Sequence, residues 1–314
     1  MRNRATEART RTYARAGRRA GWARRLAAAT GVLVLCALPT GPAGAARDNG
    51  PSPARPPLFV SDYGNNRVVR LAARGDGQTT VPVDGVVRPT GLAWDAARDL
   101  YVSDTGNNRV LKLEEKGGAQ SIVPTVGLSR PLGLAVDARG TLYIADSFND
   151  RVVKVPADGS GQTTVPTTGL LHPWGLALGT RGDLYISDFV NDRVVKVAAD
   201  GSGQTTVPTV GLSQPTGLVL NAAGDLYISD SGNNRVVRVS ARGGKQSTVP
   251  VTGLSDPLGL ALDGRGGLYV ADGFNNRVVR VGEAGGGQVT LPASGLNTPT
   301  GLAFPPADKR PRRS

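Results

Sequence analysis

The 314-residue chain carries 37 lysines and arginines, 25 aspartates and glutamates, and one each of histidine and cysteine. Its formal charge of +12 points at first to nucleic acid. Nine arginines and one glutamate fall within residues 1–45, however, and residues 58–304 hold 22 basic and 22 acidic side chains, which excludes a basic phosphate-binding surface as the organising feature.

Taken from the start, residues 1–45 read as a secretory signal peptide. An arginine-rich stretch precedes "LAAATGVLVLCAL" at 26–38, and small residues then approach an Ala-x-Ala site with cleavage expected near Ala45. The apolar run is shorter than a membrane span, so no transmembrane segment is expected in the mature chain. The flanks of the arginine pair fit the twin-arginine signal poorly, which favours the general secretory route. Cys36 leaves with this segment, and neither disulfides nor thiol chemistry remain. Residues 46–57 form a Pro-rich linker, and the chain is expected outside the cell.

From residue 58 one unit is written six times with a period of 42. Asp62, Asp104, Asp146, Asp188, Asp230 and Asp272 keep that step, as do the arginines from Arg67 to Arg277 and the glutamines from Gln78 to Gln288. Each unit reads as four short strands rich in Val, Ile, Leu and Tyr, bounded by Gly, Asp, Asn and Pro. That is the grammar of a propeller blade. The first repeat begins at a second strand, "LFVSD", and the last ends at a first strand, "PTGLAF". One blade is therefore expected from both termini, 58–82 with 299–304. It closes an all-β, six-bladed propeller of four-stranded antiparallel blades over 58–304 and removes an exposed edge. The basic tail, 305–314, is expected to be disordered.

The repeated columns carry structural readings. Gly91 and its five equivalents open the innermost strand, where blades crowd the axis. Phe59, Tyr101, Tyr143, Tyr185, Tyr227 and Tyr269 share a packing column, and Trp94 and Phe304 read as core. The Asp62–Arg67 pair and its copies bridge a short loop, since no site needs one pair six times. Arg98 occupies a turn position where four other copies have glycine, which predicts a strained left-handed residue and a modest gain from Arg98→Gly.

The pattern "P-x-G-L-A-V-D…L-Y-I-A-D-x-x-N-x-R-V-V-K-V" resembles the NHL repeat across all six copies. The phrasing "NDRVVKV…QTTVPTTGL…PWGLAL" looks like the extracellular sensor domain of the mycobacterial receptor kinase PknD. That resemblance implies a rigid six-bladed funnel displayed outside the cell to bind a ligand or anchor. The chain has no kinase glycine-rich loop, H-R-D or D-F-G motif, so no kinase activity follows.

Residues that break the repeat are the candidate site. Tyr63, Phe148, Phe189 and Phe274 stand in the loop from second to third strand, where other copies have Gly, Thr or Ser. Trp174, and His172 before it, stand in the loop between blades. Both loops are expected on one face, and exposed aromatics around a concavity are what binding surfaces use. The alternative is that they plug the channel or pack on neighbouring loops. The ligand-binding set is therefore Phe148, His172, Trp174, Phe189, Tyr63 and Phe274, with the first, third and fourth as its centre. Catalytic residues, a metal and a cofactor are not expected, because one histidine builds neither a zinc site nor a triad. Glu114, Glu115 and Glu283 fall on the opposite face, and Asp and Asn oxygens leave a calcium site open. The expected protein is a monomeric, secreted, non-catalytic propeller for an extracellular small molecule, glycan or protein. The alternative is a metal-dependent lactonase or lyase.

Overall fold

The computed structural model describes residues 55–72, 77–282 and 287–307. The expected signal peptide, most of the linker, residues 308–314 of the tail, and Glu283 lie outside the described residues.

Six four-stranded antiparallel sheets follow one another. Blade 1 joins Pro299–Ala303 to Leu58–Asp62, Arg67–Leu71 and Gln78–Val81, with Val60 opposite Leu302. Blades 2 to 6 open on innermost strands Pro89–Trp94, Pro131–Val136, Pro173–Leu178, Pro215–Leu220 and Pro257–Leu262. Both ends of the chain thus supply blade 1, and the closure expected from the out-of-phase repeat is present.

The period-2 alternation of each strand sends alternate residues to the two sheet faces. The apolar ones meet between blades. Ala135, Ala145 and Val152 of blade 3 pack on Leu176, Ile186 and Val195 of blade 4, and the same seam recurs around the ring. Each fully buried side chain such as Ile186 contributes about 1.5–3 kcal/mol. Every member of the Tyr/Phe59 column joins such a seam, as its repetition implies. Trp94 meets Phe59 edge-on at 4.8 Å, and Phe304 meets Tyr269 at 4.9 Å.

Two columns fasten one blade to the next. The Asp146 carboxylate is wholly buried and accepts from Arg151 Nε at 2.7 Å, Asn149 Nδ2 at 2.8 Å and the Ser129 amide at 2.7 Å. It holds its own hairpin and the preceding inter-blade loop together, and its five copies do the same. Gln162 reaches back to blade 2, accepting from the Val126 amide and donating to its carbonyl. Gln78 makes the equivalent pair with Ser294 across the closure.

The loop expected between second and third strands is a single 3-10 turn ending in a left-handed Asn or Asp. Asp150 has φ 54°, a conformation these residues tolerate. The innermost glycines are required by close approach. A Cβ on Gly133 would collide with the Trp174 carbonyl, and one on Gly301 with that of Thr90, which completes the ring.

Candidate functional site

The turns between second and third strands and the inter-blade loops share one face, stitched together by the buried aspartates. Six residues, Arg88, Arg130, His172, Gln214, Asp256 and Thr298, precede the innermost strands, all left-handed at φ 48–52°. The turn of the preceding blade fixes each, as where the His172 amide donates to Asp150 Oδ1 at 2.9 Å. The rim of this face therefore presents one variable side chain per blade on a rigid frame. Arg88, Arg130 and His172 occupy consecutive blades, and Asp256 lies in the blade opposite Arg130.

The Asp256 carboxyl is pushed up to about 6, first by burial and then by the neighbouring Asp272 charge. The central channel holds about 90 Å³ and is ringed by Thr90, Leu132, Trp174, Thr216, Leu258 and Thr300. That volume takes a few waters, so a larger ligand engages the mouth.

The structure brings four of the six expected residues into two adjoining pairs. Phe148, 43% exposed, lies 4.8 Å from the His172 ring, and the Arg130 guanidinium covers it at 4.7 Å. Trp174 lies 5.1 Å from Phe189, nearer the axis. Pro173 alone separates His172 from Trp174, which joins the pairs into one sector of blades 3 and 4. Leu171, 37% exposed, extends it. Half-buried Tyr63 and Phe274, the latter 69% exposed, stand on other blades, and neither joins an aromatic pair among the described residues.

His172 Nδ1 lies 3.2 Å from the Ser147 carbonyl and 4.0 Å from Asp150 Oδ1. A carbonyl only accepts, so Nδ1 is the donor in this contact. Among the described residues, no three His, Cys, Asp or Glu side chains converge as a metal site. Glu115 is at the strand ends remote from this face, bound to Arg98 at 2.6 Å. No described helix is long and apolar enough to cross a membrane.

Arg130 is the participant that sequence reasoning missed. Arginine also stands at Arg88 in the same variable column, so its identity carried no signal. Only the neighbouring Phe148 did.

The family model described as "Virginiamycin B lyase family" matches residues 78–297. The chain belongs to the virginiamycin B lyase family. No curated protein matches this family member in sequence. A chain of the nidogen–laminin complex is 23% identical, with 78% of this chain and 97% of that one covered and a TM-score of 0.72. A streptogramin B lyase is 18% identical over 80% of this chain and 87% of its own, with a TM-score of 0.62. Virginiamycin B lyase from Staphylococcus aureus is 15% identical over 80% and 89%, with a TM-score of 0.61, and its catalytically inactive histidine-to-alanine variant has been solved with quinupristin. At these identities the likeness shows the fold alone. The resemblance to NHL propellers is thus met at the level of fold, while the family shown is the lyase family.

Proposed function

We propose that this member of the virginiamycin B lyase family is an extracellular binding propeller. Its sector of Arg130, Phe148, His172, Trp174 and Phe189 holds a small molecule, glycan or protein partner. The observation that carries this reading is the stack of exposed Arg130 and Phe148 on half-buried His172, beside Trp174 on a frame that hydrogen bonds fix in every blade. Aromatic and arginine side chains held rigidly at a concave mouth give large contact area at low entropic cost. The signal-like first 45 residues support an extracellular setting.

In the test, immobilised protein meets extracellular material and the retained component is compared with the input by mass spectrometry and chromatography. Stoichiometric retention of an unaltered component is expected. Its conversion on the column would replace binding with catalysis.

Family membership favours one second reading, a lyase in which the His172 imidazole takes part in proton transfer. Incubation with quinupristin, the molecule bound to the S. aureus variant, tests it. Turnover by the wild type and none by His172→Ala would establish that reading.

A further inference from the structure

A groove between blades 6 and 1 opens at the strand ends remote from the loop face. Arg55, Leu58, Leu71, Tyr269, Arg280 and Phe304 line it, and it encloses about 210 Å³. Comparable inter-blade grooves of about 320 Å³ and 260 Å³ occur beside Tyr227–Arg238 and Tyr101–Lys112. In those two the cation makes a close ion pair. Arg238 Nη2 lies 2.6 Å from Asp225, and Lys112 Nζ lies 2.9 Å from Asp99.

The blade 6 groove departs from that pattern. Arg280 Nε keeps only a loose ion pair with Asp263 Oδ2, at 3.8 Å and beyond hydrogen-bond reach, while its guanidinium lies 5.9 Å from the Tyr269 ring centre. The Asp263 oxygens instead accept from the Arg265 amide at 3.0 Å, the Gly267 amide at 2.9 Å and the Tyr269 hydroxyl at 3.3 Å. Arg280 Nε is buried with no hydrogen-bond partner among the described residues. An orphaned buried donor carries a desolvation cost that an acceptor would relieve. Arg55 adds a second guanidinium. Both guanidiniums line the groove with Tyr269, and burial holds the Tyr269 phenol above its ordinary value, with Asp263 adding to this and Arg280 and Arg55 pulling against it.

We propose that this groove is a second site, independent of the loop face, for a small carboxylate on an apolar body about one ring in size. The carboxylate accepts from Arg280 and Arg55, whose forks match its two oxygens. The body lies against the edge-to-face Tyr269–Phe304 pair and against Leu58 and Leu71. A cavity of about 150 Å³ takes benzene, so this volume accommodates a ring and its carboxylate. The chain's own residues 308–314, with four basic side chains and one acid, are mismatched in charge to this arginine-lined groove.

Calorimetric titration of the full-length chain with phenylacetate, phenylacetamide and acetate tests the site. Saturable one-to-one binding of phenylacetate in the millimolar range is expected, with the neutral amide and the ringless acetate each about ten-fold weaker. Arg55→Gln and Arg280→Gln should each weaken phenylacetate by about ten-fold, while Phe148→Ala on the loop face leaves it unchanged. Should Arg280→Gln fail to fold, Arg55→Gln at the groove edge decides alone. Absence of saturation, equal affinity for the amide, or undiminished binding by Arg55→Gln would overturn the proposal.

Discussion

Arg98 Nη1 donates to the main-chain carbonyl of Pro306, so a turn of blade 2 holds the segment that leaves the closing strand. Arg98 is left-handed at φ 69°, as its misfit among glycines implies, and its Nε meets Glu115 Oε1 at 2.6 Å.

These contacts reverse the expected sign for Arg98→Gly. Glycine relieves about 1 kcal/mol of strain and returns part of it as unfolded-state entropy. It also deletes a charge-assisted bond worth about 1.5–3 kcal/mol. We expect a net loss of about 1 kcal/mol in urea denaturation. A variant more stable than the wild type would mean the Pro306 contact contributes nothing.

Gly133→Ala should cost more than about 3 kcal/mol, because its Cβ would meet the Trp174 backbone and neither blade has room to yield. Gly203→Ala, with nothing within 4 Å, should stay within about 0.5 kcal/mol of the wild type. Equal melting points for the two variants would refute the close-packed axis.

The closing strand makes a further prediction. Leu302, 7% exposed and opposite Val60, packs in the seam with blade 6. Leu302→Ala should cost about 2–4 kcal/mol, and ending the chain after Leu296 should abolish cooperative unfolding. A truncated protein melting within about two degrees of the full chain would contradict closure by both termini.

Asp256 sets a pH dependence. Its folded value, near 6, exceeds the ordinary 3.8, so the native state binds its proton more tightly than the unfolded chain does. Its contribution therefore favours folding at low pH and declines as pH rises through that window. Asp256→Asn should remove the decline and be about 1 kcal/mol more stable than the wild type above pH ~7, a figure discounted for partial exposure. Parallel stability–pH curves for the two proteins would count against a perturbed carboxyl.

The blades, their count and the closure were legible because they rest on repeated columns and on a repeat that starts and ends out of phase. The Asp–Arg pairs were legible for the same reason. The site was only half legible. Substitutions marked Phe148, His172, Trp174 and Phe189, but that Phe148 meets His172 across an inter-blade loop depends on the left-handed turn at residue 172. The second groove gave no sequence signal. Arg280 occupies a column that is cationic in every blade, and what distinguishes it is a 3.8 Å gap to Asp263 where Arg238 comes within 2.6 Å of its aspartate.

The claim that the sector of blades 3 and 4 is a binding surface is tested most directly by affinity retention with three proteins. These are the wild type, Phe148→Ala/Trp174→Ala, and Phe274→Ala on blade 6. Each is immobilised at equal density and exposed to the same extracellular material, with folding checked by melting temperature. The account predicts that the wild type and Phe274→Ala retain the same component, and that the double variant, folded, retains it at least about thirty-fold less. Retention by the double variant equal to that of the wild type would contradict it.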